Sequence, residues 1–291
     1  METVSLRAYA KINLTLDVTG KRENGYHDVR MVMQQIDLHD TVILTKLESG
    51  IELETNSAFL PTDESNIAWK AAQAVSEHVG RNLGVKIYID KKIPVAAGLA
   101  GGSTDAAAVI RGLNKLYHLG LSLETMMKIG VTIGADVPFC IMGGTAIAEG
   151  IGEELTKIEP EKSLWMVLSK PGVGVSTKRI YTALDYKKIN NHPETESMIE
   201  AVKCGDIGEI SLLLGNVLEP VTLSLYPSVG SLKSKMKEYG ACGSLMSGSG
   251  PSVFGLFKSY EKACTAAKRL KRVYKQTFVT KTIIGGYENE W

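Results

Sequence analysis

Four cysteines in 291 residues, Cys140, Cys204, Cys242 and Cys264, include no C-x-x-C pair and have no neighbouring histidine pair. That spacing excludes a zinc knuckle and a dithiol redox motif, and scattered thiols of this kind suit a reducing compartment. Excess charge of either sign is also lacking, since 33 basic and 32 acidic residues leave a net +1. Nothing global therefore draws the chain to nucleic acid or to an anionic membrane surface. The short basic runs Lys268-Arg269 and Lys271-Arg272 read as a solvated helix face. No stretch approaches the roughly 18 uninterrupted apolar residues of a membrane span. The N-terminal METVSLRAYAKINL alternates where a signal peptide would carry an apolar run. The expected location is cytoplasmic. Fixed-period repeats and low-complexity tracts are absent too. What remains is a chain of 44% hydrophobic composition, long enough for one large domain or two ordinary ones.

Apolar residues fall on every even position from Val4 to Val18, with Ser5, Arg7, Tyr9, Lys11, Asn13, Thr15 and Asp17 on the odd positions. A period of two predicts a long strand with one buried face. The polar TGKRENGYHD then reads as a loop, and residues 29–38 and 41–47 as two further strands. A helix is predicted from about Ser65 to His78, with Asn66 as its cap, and the alternating GVKIYIDKKIP predicts another strand. Helices are also expected up to Leu116 and from Ser122 to Ile133, then short strands and turns through DVPFCIMGGTAIAEGIGEEL. The second half opens with a strand at 164–171 and holds helices near 176–184, 195–203, 206–214, 228–239 and 260–273. Strands at SVFGLF and 276–284 complete it. Interleaved elements in both halves indicate an α+β chain of two domains, 1–155 and 156–291.

The stretch VAAGLAGGSTDAAAV, from Val95 to Val109, places three glycines and two hydroxyls before an alanine-rich helix. Glycines let backbone N–H groups surround an anion, and a helix start adds free N–H groups and a positive dipole end. The order suits a phosphate cradle. It equally suits a tight turn with Ser103 or Thr104 as the helix cap, and it is neither a Walker A loop nor a G-x-G-x-x-G fingerprint. Taken singly, Lys11 reads as a solvated residue, Asp136 in IGADVPF as a turn stabiliser, and GSLMSGSGPS as a connection.

Taken together and in order, six blocks resemble the GHMP small-molecule kinases. They are AYAKINLTLDVTGKRENGYHDV, IPVAAGLAGGSTDAAAVIRGLN, IGADVPFCIMGGTAIAEGIGE, KPGVGVSTKRIY, GNVLEPV and LMSGSGPSVFGLF. The resemblance covers nearly the whole chain, and the AKINL…GYH and GADVPF blocks are far more specific than the glycine loop. It implies an N-terminal ATP-binding domain like ribosomal protein S5 domain 2 and a ferredoxin-like C-terminal domain, with ATP and acceptor meeting between them. ATP and Mg²⁺ are the implied cofactors. The implied acceptor is 4-diphosphocytidyl-2-C-methyl-D-erythritol, phosphorylated on its 2-hydroxyl, with no nucleic-acid or membrane partner and a monomer or weak homodimer as the working unit.

Residue by residue, the resemblance assigns the ATP loop to Pro94, Val95, Ala96, Ala97, Gly98, Leu99, Ala100, Gly101, Gly102, Ser103 and Thr104. Ala97 and Ala100 stand where glycines are common in the family, and Ser103 or Thr104 is implied near the magnesium. Lys11 and Asp136 match the catalytic pair, a carboxylate to accept the hydroxyl proton and an ammonium to hold that carboxylate ionised. Tyr26 and His27 match a cytidine-binding pair, and Tyr181 a second aromatic on the opposite face of the base. Asn13 matches a residue near the erythritol end, and Gly248, Ser249 and Gly250 match a third block over the phosphates. Lys91, Lys92 and the 57–69 region are candidates for the adenine. Kinases for mevalonate, phosphomevalonate or homoserine share the fold but would have no use for Tyr26, His27 and Tyr181. A non-catalytic binding protein would have no need of both Lys11 and Asp136.

Overall fold

The alternation at the N-terminus forms β1 (Thr3–Lys21), which pairs antiparallel with β2 (His27–Lys46) through the loop at Asn24-Gly25. The strands expected at 29–38 and 41–47 are thus one strand. The polar His39-Asp40 between them continues the strand beside a slip in the ladder, and Asp40 finds buried partners. The computed structural model describes residues 2–287, so the outermost ends of the expected domains, Met1 and residues 288–291, lie outside the described residues.

β3 (Ile51–Thr55), α1 (Ile67–Val79), β4 (Val85–Asp90), α2 (Gly101–Leu116) and α3 (Leu123–Val131) follow. Asn66 caps α1 by accepting from the Ala68 N–H, and Ser122 caps α3 by accepting from the Thr125 N–H. α4 (Val137–Met142), β5 (Thr145–Glu149) and β6 (Glu154–Ile158) complete the first half. The helical turn α4 replaces part of the expected strands and turns, because Pro138 suits a first helical turn and Gly143 ends it. The second half contains β7 (Trp165–Lys170), α5 (Thr177–Ala183), a 3-10 turn at Tyr186–Lys188, α6 (Thr195–Cys204) and α7 (Ile207–Leu213). It ends with β8 (Gly215–Asn216), α8 (Glu219–Leu225), α9 (Pro227–Glu238), β9 (Gly243–Met246), β10 (Val253–Phe257), α10 (Tyr260–Leu270) and β11 (Gln276–Lys281).

Two sheets result. The larger runs β3-β4-β2-β1-β8, and β5 pairs with the first part of β2 and with β6. The smaller runs β11-β7-β10-β9 with every pair antiparallel, the ferredoxin-like order. A division at 155/156 would cut β6; the change of sheet falls in residues 159–164. The two-residue β8 crosses that division and pairs parallel to β1 at Thr15 and Leu16. Among the described residues no helix is long and apolar enough to cross a membrane, and all four cysteines are free.

The β1–β2 ladder slips between Tyr9 and Lys11 and again between Asn13 and Thr15. A bulge turns a strand's faces over, and the packing follows. Ala8, Leu16 and Val18 join one apolar cluster with α1, α2 and β4, whereas Ala10, Ile12 and Leu14 join another with Met166, Leu168, Phe254 and Leu256. The middle of β1 is buried on both faces, so Lys11, Asn13, Thr15 and Asp17 are buried polar residues. α2 is enclosed along its length. Its alanines let neighbours approach, and a Cβ at Gly112 would lie 2.4 Å from Leu44 Cδ1. That close fit aims the N-terminus of α2 at the seam between the two sheets.

Candidate active site

A cleft of about 1120 Å³ opens at that seam. Its walls come from the 94–103 loop, β1 and β2 with their hairpin, the start of α4, α5 and the 248–249 turn. Lys11 reaches it from β1. Its ammonium donates to Asn13 Oδ1 at 2.9 Å and lies 3.8 Å from Asp136 Oδ1. Its own N–H donates to the Leu99 carbonyl, which fixes β1 against the glycine loop. Asp136 occupies the capping position of α4, but its side chain makes no capping hydrogen bond. The carboxylate faces Lys11 and the cleft, so the turn-stabiliser reading of Asp136 does not hold. Behind it, burial and then the Asp136 charge push the Cys140 thiol up, so that sulfur stays protonated.

Asn13 is fully buried and does not line the cleft. It accepts from Lys11 and donates to Met31 Sδ at 3.1 Å. Asn13, expected near the erythritol end of the acceptor, thus holds Lys11 from beneath the lining of the cleft.

In the glycine loop, Ala96, Gly98 and Ala100 adopt positive φ of 51°, 72° and 54°. The loop folds back so that α2 starts with Ala100 as its cap and no side-chain capping bond. This removes the reading of Ser103 or Thr104 as the cap, and it leaves the first N–H groups of α2 without a capping side chain at the cleft. Thr104 is buried and donates its hydroxyl to the Tyr9 carbonyl at 2.7 Å. Of the two hydroxyls expected near the magnesium, that of Thr104 is thus spent on main chain and Ser103 is the one lining the cleft. Gly98 explains its own presence. A Cβ there would lie 2.2 Å from the Ser247 carbonyl oxygen. Ser247 Oγ donates to the Gly98 carbonyl at 2.8 Å, and the Ser252 N–H donates to Ala97. The third block thus braces the loop. Gly248 and Ser249 line the cleft, while Gly250 sits behind, against Met246 and Thr222.

Tyr26, His27 and Tyr181 line the opposite end. Tyr26 is exposed at the tip of the β1–β2 hairpin, where its N–H donates to Asn24 Oδ1. His27 is buried, and burial followed by the Lys21 charge lowers its pKa, which favours a neutral ring. The His27 and Tyr181 rings are 5.2 Å apart between centroids, tilted by 41°. Rings that close leave no room for a third ring between them. Burial, then Asp136, pushes the Tyr181 hydroxyl up.

Lys91 and Lys92, candidates for the adenine, both have their ammonium groups engaged by carboxylates, although Lys91 also lines the cleft. Lys91 is buried between Asp40 at 2.6 Å and Asp105 at 2.5 Å, and Lys92 pairs with Asp90 at the surface, 3.5 Å away. Of the 57–69 region, Leu60 and Ile67 line the cleft. Sequence reasoning passed over Lys21, Met31, Thr177 and Lys178, which also line it. Thr177 and Lys178 carried a signal, because they stand inside the STKRIY block, and the Thr177 and Ser249 hydroxyls are 2.9 Å apart.

Family models match parts of both halves of the chain. The GHMP kinases N terminal domain matches residues 66–144, and the GHMP kinases C terminal model matches residues 198–276. The 4-diphosphocytidyl-2-C-methyl-D-erythritol kinase of Alkaliphilus oremlandii (strain OhILAs) is 53% identical over 290 residues, 99% of each chain. The chain belongs to that family of GHMP kinases. The kinase of the same name from Acetivibrio thermocellus is 50% identical over 97% of this chain and 100% of its own. A crystal structure of 4-(cytidine 5'-diphospho)-2C-methyl-D-erythritol kinase superposes with a TM-score of 0.84 at 32% identity, covering 97% of this chain and 100% of that one. Homoserine kinase from Cytophaga hutchinsonii superposes at 0.80 with 20% identity, a likeness of fold alone.

Proposed function

We infer that this kinase transfers the γ-phosphoryl group of ATP to the 2-hydroxyl of 4-diphosphocytidyl-2-C-methyl-D-erythritol, a step of non-mevalonate (methylerythritol phosphate) isoprenoid biosynthesis. The observation that carries the reading is the placing of the Lys11–Asp136 pair in one cleft with the N-terminus of α2 and the Tyr26–His27–Tyr181 group. The N-terminus of α2 and the 94–103 backbone hold the phosphates, since free N–H groups and the helix dipole favour anions. Tyr26 and Tyr181 take the faces of the cytosine, and His27 its edge.

Phosphoryl transfer needs positioning and charge neutralisation more than covalent help. Asp136 accepts the proton of the attacking hydroxyl. Lys11, held by Asn13, keeps that carboxylate ionised and offsets charge on the transferred group. No group of three or more His, Cys, Asp or Glu side chains among the described residues forms a metal cage. The oxygens this chain offers Mg²⁺ in the cleft are the Ser103 hydroxyl and the Asp136 carboxylate, both of the hard type that ion takes. The ion supplies neutralisation of phosphate charge when bound.

Purified protein supplied with ATP, Mg²⁺ and each of four acceptors in turn tests the reading. The cytidine compound is expected to be consumed, and mevalonate, phosphomevalonate and homoserine are not. Tyr181→Ala is expected to raise the KM for the cytidine compound roughly tenfold to a hundredfold, the scale of one base–aromatic stack, with the KM for ATP unmoved. An unchanged acceptor KM in both Tyr181→Ala and His27→Ala would favour an acceptor without a nucleobase.

A further inference from the structure

Asp40 lies on β2, outside every motif that suggested a function, and is fully buried. One of its oxygens, Oδ1, accepts from the backbone N–H of Lys92 at 2.5 Å and of Ile93 at 2.8 Å. These are the last residues before the phosphate loop. The other oxygen, Oδ2, holds the Lys91 ammonium at 2.6 Å. That ammonium also donates to the Gly101 carbonyl at 3.0 Å and to Asp105 Oδ2 at 2.5 Å. Gly101 and Asp105 belong to the first turns of α2, which leave the loop on its other side. One carboxylate therefore reaches the loop's entry directly and its exit through a single lysine. From this geometry we propose that Asp40 is a positioning residue for the nucleotide: it fastens both ends of the 94–100 loop, with Lys91 as the bridge, and so fixes the backbone N–H groups that meet the phosphates.

The fastening is mechanical in the right place. Between its ends the loop holds three residues at positive φ, two of them alanines, a conformation L-residues adopt only when their surroundings impose it. Fixing both ends supplies that constraint. The charges are also compatible with a polyanion above. Asp105 is enclosed, its Oδ1 has no hydrogen-bond partner, and burial together with the neighbouring Asp40 charge raises its pKa well above the usual carboxylate range.

The proposal rests on the reading that this loop holds the phosphates of ATP, so the test separates the two. The dissociation constant for ATP is measured by calorimetry, and steady-state KM values for ATP and acceptor are measured alongside. Asp40→Ala is expected to weaken ATP about tenfold or more, the scale of a displaced binding group, and to leave the acceptor KM within about twofold. The double variant Lys91→Met with Asp105→Asn releases only the exit, conserves the Asp40 charge and its two backbone bonds, and is expected to weaken ATP by a smaller factor. If Asp40→Ala does not fold, the double variant decides alone. Ala96→Asp, which puts a carboxylate on the exposed crest of the loop, is the control for the underlying reading. Loss of ATP binding in Ala96→Asp with wild-type affinity in the folded Asp40 and Lys91 variants would overturn the fastening and keep the phosphate loop. Wild-type affinity in all of them would overturn the loop itself. Equal losses of ATP and acceptor affinity would reduce Asp40 to a general stabiliser and overturn the proposal.

Discussion

Asp136 stands at a helix cap position and leaves the helix uncapped, which frees its carboxylate for chemistry. Asp136→Asn keeps the shape and removes the proton acceptor. Its kcat is expected to fall by ~10²-fold or more, the usual scale for losing a general base. The thermal midpoint is expected to move little, because no capping bond is lost. A variant that kept over half of the wild-type kcat would pass the proton to another group. The sequence could not separate cap from base here, since both readings want an Asp before V-P-F. Lys11 and Asn13 posed the opposite problem. Strict alternation put them on a solvent face, whereas the slips in the β1–β2 ladder leave the middle of β1 buried on both faces. The structure puts Lys11 in the cleft beside Asp136 and Asn13 one layer behind it, a difference the motif could not show because a motif carries identity but not depth. Asp40 was invisible: its importance comes from Lys91, Lys92 and Ile93, some fifty residues on.

Among the elements, the phosphate loop and α2 act as one piece. Gly98 is the glycine this piece depends on most, with φ of 72° and the Ser247 carbonyl where a Cβ would go. Gly98→Ala is expected to lower the thermal stability by about 2 kcal/mol or more, from the backbone cost and the overlap together. ATP affinity is expected to fall as well, because the loop has to lift off the 247–252 turn. Unfolding midpoints and ATP calorimetry on the variant check both, and a neutral result in both would mean that the loop does not rest on that turn in solution. Gly101 needs no such freedom. Its φ is ordinary, and a Cβ there would meet Ile93 and the Lys91 ammonium at 3.1 Å. Long amphipathic elements were legible, with Asn66 and Ser122 placed correctly as caps. α4, α8, β3, β8 and β9 were not: α4 and α8 carry a proline in their first turn, β9 lies in a glycine-serine stretch that reads as a connection, and β3 and β8 have only five and two residues.

At the scale of the molecule, two sheets share their apolar interior. Ala10, Ile12, Leu14, Val32 and Ile36 of the larger sheet pack with Met166, Leu168, Leu245, Phe254 and Leu256 of the smaller. The bridge between Ile36 and Thr282 and the β1–β8 pairing add backbone ties. Residues 1–163 alone would leave that apolar face uncovered. They are expected to melt without a cooperative transition and to bind a hydrophobic dye, while the whole chain unfolds in one step. Trp69 and Trp165 report on opposite sides of the division, so coincident fluorescence and circular-dichroism transitions are the check. A sharp transition from the isolated first half would show two independent units. Two domains were legible from the interleaving of strands and helices; their mutual dependence was not, because it lies in which face each apolar residue covers.

The seam over the phosphate loop has a further property. Ser247 and Ser252 grip it through the Gly98 and Ala97 carbonyls, and the Asn216 amide reaches the Met246 and Gly248 carbonyls at 3.0 and 2.8 Å. Every one of these bonds ends on main chain, so they constrain the path of the backbone and hardly constrain which side chains line it. Such a joint is interchangeable in the way a standard fitting is. Side chains in the walls of the cleft can therefore change while Gly98, Asn216 and Ser247 keep the loop's path, provided the apolar interior shared by the two sheets is kept as well.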